Sequence, residues 1–166
     1  MRLERLIIIG GLLALSACAQ PPALKEYAYP AWGFAVSFRE APKATDSPAS
    51  ADGTSAHTLT IESTLAGRDN VVNVIDGTGS TRSDDQVLSD APAILAQSAK
   101  ATLGPVTYVA TGKIVGREFR LERPGQPAAR ASIFVTNKHL YELISASSLG
   151  PDDPETAAFL DSFRLL

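Results

Sequence analysis

Several residue groups in this chain have side chains that could do chemistry. Asp76-Gly77-Thr78-Gly79-Ser80-Thr81 follows an apolar run. A glycine-rich turn can offer backbone N–H groups to a phosphate, and an aspartate at a strand end can act as a nucleophile. Yet no lysine follows at the spacing of a phosphate-binding loop, and no helix starts directly at the glycines. A plain turn is the expected reading. His57 and His139 are the two histidines. They could form a metal site or an acid–base couple with a carboxylate, but neither lies in a ligand-spaced motif. Asp84-Asp85 and Asp152-Asp153 lack the alternating oxygen ligands of a calcium loop and fit helix N-termini better. No serine sits in a Gly-x-Ser-x-Gly turn. The expectation is a protein that is not an enzyme, with no metal and no cofactor. An envelope hydrolase would require His57 or His139 beside a nucleophile.

Those residues need elements to hold them, and the elements begin after a processing segment. Arg2 and Arg5 precede the apolar run of residues 6–15, which ends in Leu15-Ser16-Ala17-Cys18. This is the layout of a secretory signal, and its apolar run is far short of the ~20 residues that cross a bilayer. The Leu-Ser-Ala-Cys ending resembles the lipobox cut by the lipoprotein signal peptidase. It implies lipidation at Cys18, the one cysteine of the chain. Two acyl chains with roughly 30 methylenes at ~0.8 kcal/mol each would hold the protein on a membrane permanently. Ala19 is not the aspartate that commonly retains lipoproteins at the inner membrane. The expected location is the outer membrane, with the domain facing the periplasm.

The expected divisions are residues 1–17 as signal peptide, 18–26 as lipidated cysteine and tether, and 27–166 as a single globular domain. Without the signal, 13 basic residues face 17 acidic ones, a formal charge of −4. This argues against nucleic acid as a partner.

Period-two alternation marks strands at Phe34-Val36-Phe38, at His57-Leu59-Ile61-Ser63, at residues 71–75 after a turn at 67–70, and at Val106-Tyr108-Ala110. Further strands are expected at Arg117-Phe119-Leu121, at Ala131-Ile133-Val135 and over residues 140–146. Consecutive antiparallel hairpins join them, with Pro124-Gly125-Gln126-Pro127 and Asn137-Lys138 as turns. Glu118, Arg120, Glu122 and Arg123 read as cross-strand charge pairs on a wet face. Residues 41–56 read as a long loop.

One helix is expected from a Ser89 cap, with Pro92 in its first turn and Gly104-Pro105 as its stop. Its apolar face would carry Ile94, Leu95, Ser98, Ala99 and Thr102. A second helix starts at Asp153-Pro154, and residues 162–166 return as a short strand. Tyr27, Tyr29 and Trp32 are either an exposed patch that binds a partner or the packing of a first hairpin.

Trp32-Gly33-Phe34-Ala35-Val36-Ser37-Phe38, Gly116-Arg117-Glu118-Phe119, Ile133-Phe134-Val135, Leu140-Tyr141-Glu142-Leu143 and Phe159-Leu160-Asp161-Ser162-Phe163-Arg164 occur in that order. This series resembles the PsbP-like superfamily, which includes an extrinsic photosystem II subunit and many bacterial lipoproteins. The resemblance implies an α+β fold, an antiparallel β-sheet flanked by helices on both faces. It also implies a binding or assembly role in place of catalysis. The expected function is therefore a membrane-anchored, non-enzymatic factor that binds or stabilises an envelope protein. The alternative is a carrier or sensor of a small or lipidic ligand, held in a pocket between sheet and helix.

Overall fold

The computed structural model describes residues 22–51, 55–77, 80–136 and 139–166. Cys18, Thr78-Gly79 and the Asn137-Lys138 reversal lie outside them. The fold is mixed α+β, built on two antiparallel sheets and two helices. The smaller sheet joins β1 (Lys25–Tyr29), β2 (Phe34–Phe38) and β11 (Arg164–Leu165), with β2 central. The larger sheet runs in the order β3 (Lys43–Ser47), β4 (Thr58–Leu65), β5 (Arg68–Asp76), β10 (His139–Ser147), β9 (Ala129–Thr136), β8 (Ile114–Glu122). Beyond β8 lie two short strands, β6 (Thr102–Leu103) and β7 (Thr107–Thr111). The helices are α1 (Asp84–Ser98) and α2 (Pro154–Asp161).

Period-two alternation along β9 divides the interior. Ala131, Ile133 and Val135 turn to one side and meet Leu88, Ala91 and Leu95 of α1. Phe134 turns to the other, where it stacks on Phe163 at 5.1 Å between ring centres and joins Phe34, Tyr141 and Phe159 of α2. A strand whose two faces are both covered reads as a continuous apolar run, and residues 131–135 have that composition apart from Ser132.

Local conformation is set by a few residues. Gly33, at φ 71°, ends the helical turn Pro30–Trp32 and reverses the chain between β1 and β2. Gly116 of β8 lies directly over β9, where an added Cβ would stand 2.5 Å from the Phe134 ring and would also strike the Ile133 carbonyl.

Five expectations are corrected by the structure. Lys25 and Glu26, expected in the tether, already pair with Phe38 and Ser37 in β1. The expected 41–56 loop contains β3, whose five residues are all exposed. An edge strand held by backbone ladder bonds carries no hydrophobic alternation to reveal it. Arg68–Asn70 belong to β5, because the reversal is made by Ala66 and Gly67 alone, at φ 50° and 75°. The first helix starts at a Ser83 cap, not at Ser89. The Ser83 hydroxyl accepts from the Gln86 amide, and the Gln86 side chain accepts from the Ser83 amide. That reciprocal pair satisfies two amides that would otherwise be bare. It leaves Pro92 buried inside the helix, at the cost of one ladder hydrogen bond. Finally, the helix ends before Lys100, at φ 52°, and not at Gly104-Pro105; Ile94 is exposed and Thr102 lies in β6.

Replacing Gly116 by Ala is expected to destabilise the protein by about 2 kcal/mol, the scale of overpacking beside a fixed backbone. Urea unfolding of the Gly116→Ala variant measures it.

Candidate functional site

The structure brings His57 and His139 together, which their separation in sequence did not suggest. Both rings stand against Trp32, with centres 4.7 Å and 5.6 Å from the indole. His57 Nε2 lies 2.5 Å from Asp46 Oδ1, and His139 Nδ1 is 3.4 Å from the Tyr141 hydroxyl. That hydroxyl donates to the Trp32 carbonyl at 2.9 Å, and burial raises the phenol above its ordinary range. Among the described residues, neither histidine is hydrogen-bonded to a serine or threonine hydroxyl, and no three metal-ligating side chains converge. The cluster closes one end of the aromatic core.

Trp32 is 9% exposed and belongs to that core, with Tyr27 and Tyr29 packed half-buried against it. Tyr29 stacks on Phe34 at 5.0 Å. Trp32 is therefore part of the core, while Tyr27 and Tyr29 keep part of their surface in solvent.

The acid pairs hold helix starts. Asp84 and Asp85 lie in the first turn of α1. Asp153 caps α2 by accepting from the Glu155 amide at 3.1 Å, and Asp152 pairs with Arg120. Burial alone would raise the Asp153 carboxyl. Hydrogen bonds from Arg68, Ser147 and the Glu155 amide outweigh it and hold the group below its usual range. On β8, Glu118 meets Arg130 of β9 at 2.7 Å. The cavity of about 410 Å³ beside Arg120 and Arg130 therefore has its positive charges matched within the chain.

The surface that remains unmatched lies on the β7–β8 hairpin. Tyr108 is 73% exposed, Val115 52% and Val106 42%. The Arg117 guanidinium lies over the Tyr108 ring, 3.8 Å from its centre. It makes no hydrogen bond or ion pair among the described residues, and its Nη1 is buried without a partner. Between this hairpin and the first turns of α1 runs an open groove of about 540 Å³. Val115, Leu88 and Val135 form its floor, Tyr108, Arg117 and Lys113 one wall, and Asp84 and Asp85 the other. The alternation of Val106, Tyr108 and Ala110 was legible in the sequence; that this face would stay uncovered was not.

A buried carboxyl was also missed. Glu142, 8% exposed on β10, has Asn73 Nδ2 at 3.4 Å, and Asn73 in turn accepts from Thr60 at 3.1 Å.

The arrangement of strands and helices is similar to the solution structure of cyanobacterial PsbP (CyanoP) from Synechocystis sp. PCC 6803. The likeness covers 94% of this chain and 100% of that one, with a TM-score of 0.58 and 11% sequence identity. The fold is PsbP-like. No family model matches the sequence, and no curated protein does. At that identity the likeness concerns the fold alone.

Burial raises the Glu142 carboxyl above 4.5, and the Asn73 bond only partly offsets it. A raised acid favours the folded state while protonated, so its contribution is lost as pH climbs through the raised value. The Glu142→Gln variant should be more stable than the parent at neutral pH, with the difference vanishing below 4.5. Thermal unfolding across pH checks this.

Proposed function

We propose that this is a lipid-anchored bacterial envelope protein whose domain binds another protein and does not turn over a substrate. The observation that carries the reading is the β7–β8 hairpin, where Tyr108 of the outermost strand β7, Val106 just before it and Val115 of β8 are all exposed. Single exposed apolar residues are ordinary, whereas a group on one hairpin beside a groove marks an interaction surface. We read the layers as helices on both faces of the large sheet, supported by α1 and α2 belonging to separate apolar clusters.

The anchor rests on Leu15-Ser16-Ala17-Cys18, which lies outside the described residues. The position of the first described residues suits the binding reading. The described chain begins at Pro22, whose carbonyl accepts from Arg39, and Leu24 borders Leu65 and Arg68 at one end of the sheet. The groove lies at the other end, next to Ile114 and Thr136. A partner could reach it while the lipid is embedded, and delivery to the outer membrane would place the groove in the periplasm.

A carrier role has one supporting feature, a recess of about 250 Å³ floored by Ile75, Val87, Val135 and Leu140 with Arg82 and His139 at its rim. Ligand pockets run roughly 300–1,000 Å³, so it would admit only a small molecule. The hairpin surface is the larger and more exposed feature.

Two measurements test the proposal. The Cys18→Ala variant should leave the membrane fraction and take up no labelled palmitate; continued labelling would refute the anchor. A photo-crosslinking residue at position 108 of the full-length lipoprotein should give a discrete protein adduct in cells. One at position 45, on the exposed β3 edge, should not. No protein adduct from position 108 would sink the binding reading.

A further inference from the structure

The large sheet has two long edges, and they differ. β3 carries Lys43 and Asp46, and on the smaller sheet the outer strand β1 carries Lys25 and Glu26. Charges on edge strands discourage pairing with other chains. β7 carries none: Thr107-Tyr108-Val109-Ala110-Thr111 is neutral throughout, and so are residues 103–106 before it.

The register shows which amides this edge presents. Thr111 pairs with Ile114 across the Gly112-Lys113 turn, with Gly112 at φ 58°. In a two-residue hairpin the residues flanking the turn exchange hydrogen bonds, and alternate pairs along the ladder then do not. Val109 and Thr107 therefore bond back to β8, while the N–H and C=O groups of Tyr108 and Ala110 point outward. β7 has no second neighbouring strand among the described residues. Tyr108 and Ala110 are both exposed.

The charge beside this edge is also unmatched. Arg117, directly across from Tyr108, and Lys113 at the hairpin tip form no ion pair among the described residues, although Asp84 and Asp85 line the far wall of the same groove, and Arg117 Nη1 is buried without a hydrogen-bond partner. Arg82, Arg120, Arg130 and Arg164 each have a carboxylate partner. A second copy of this chain, set edge to edge by a two-fold axis, would bring another neutral β7 and another Arg117. Its own β7 carries no acid to set against Arg117.

We propose that β7 receives an extended segment of a different protein, which adds as a further strand and places a carboxylate on Arg117. This deepens the protein-binding reading and rests on it. Backbone bonds to Tyr108 and Ala110 fix the strand; Tyr108 and Val115 contact its alternate side chains; Arg117 selects an acidic residue among them. Strand addition of this kind takes its affinity from main-chain bonds and its specificity from side chains on one face.

The probe is a capped nine-residue peptide of alternating valine and threonine with one central aspartate, fluorescently labelled and titrated into the mature lipoprotein in detergent. Binding is read by anisotropy. Changing the peptide's aspartate to lysine should weaken it roughly tenfold, as should Arg117→Gln, the worth of one charge-assisted hydrogen bond. A proline at the peptide's centre should abolish binding. Ala110→Pro should also abolish it, because it removes an outward N–H and leaves the bonds to β8 in place. Arg117 has no hydrogen bond or ion pair to lose, only its contact with the exposed Tyr108 ring, so its variant keeps the test sound should Ala110→Pro fail to fold. Equal affinity for aspartate and lysine peptides, no binding of any peptide, or a sedimentation mass of two chains in peptide-free protein would overturn the proposal. Crosslinks from position 108 that persist in Ala110→Pro cells would overturn strand addition while leaving protein binding intact.

Discussion

Every backbone amide taken out of bulk water needs a partner, and in this protein the antiparallel ladder is what supplies it. From β3 through β8 the strands form one continuous ladder, in which β10 crosses over to lie beside β5. The ladder stops at β7. An outer strand presents half of its amides to whatever lies beside it, so the character of its side chains decides whether another chain can join the sheet there. At β3 the side chains are polar and charged. At β7 they are a tyrosine, a valine, an alanine and two threonines. The binding surface inferred for this protein is the consequence of where pairing ends and of what was placed there.

The groove beside that edge depends on the two-sided packing of β9. Because Ile133 and Val135 face α1 while Phe134 faces the aromatic core, α1 is held over β8 and β9. The first turn of α1 thereby stands opposite the β7–β8 hairpin, with Val115 and Val135 as a common floor. The Ser83–Gln86 cap sets where that turn begins, and so sets the groove's acidic wall at Asp84 and Asp85.

Much of this was readable from the residues. Alternation located β2, β4, β8 and β9, and Asp153-Pro154 marked the start of α2, since burial of one face and helix capping both leave a pattern in sequence. What failed has physical causes. β3 buries nothing, so no hydrophobic period exists to find. The start of α1 was misplaced because Pro92 suggested a first turn, although Ser83-Asp84-Asp85-Gln86 carried a capping box. Trp32, Tyr27 and Tyr29 were ambiguous because an aromatic's type does not say which neighbours pack on it; here Phe38 meets Tyr27, Phe34 meets Tyr29, and the two histidines flank Trp32. Tyr108 illustrates the reverse: its alternation was legible, but sequence periodicity assigns a residue to a face without saying whether another element packs there. The His57–Trp32–His139 grouping depends on contacts between distant segments and left no local signal, whereas Arg117 meets Tyr108 within one hairpin.

The proposed surface requires the outward amides of β7 to be open in the isolated protein. Site-resolved amide hydrogen exchange of the mature lipoprotein, with no partner added, measures this directly. Tyr108 and Ala110 should exchange at rates near those of an unstructured chain, while Val109 and Gly116, which bond to each other across the hairpin, stay protected. Strong protection at both Tyr108 and Ala110 would show the edge already covered, and the proposed surface would not exist.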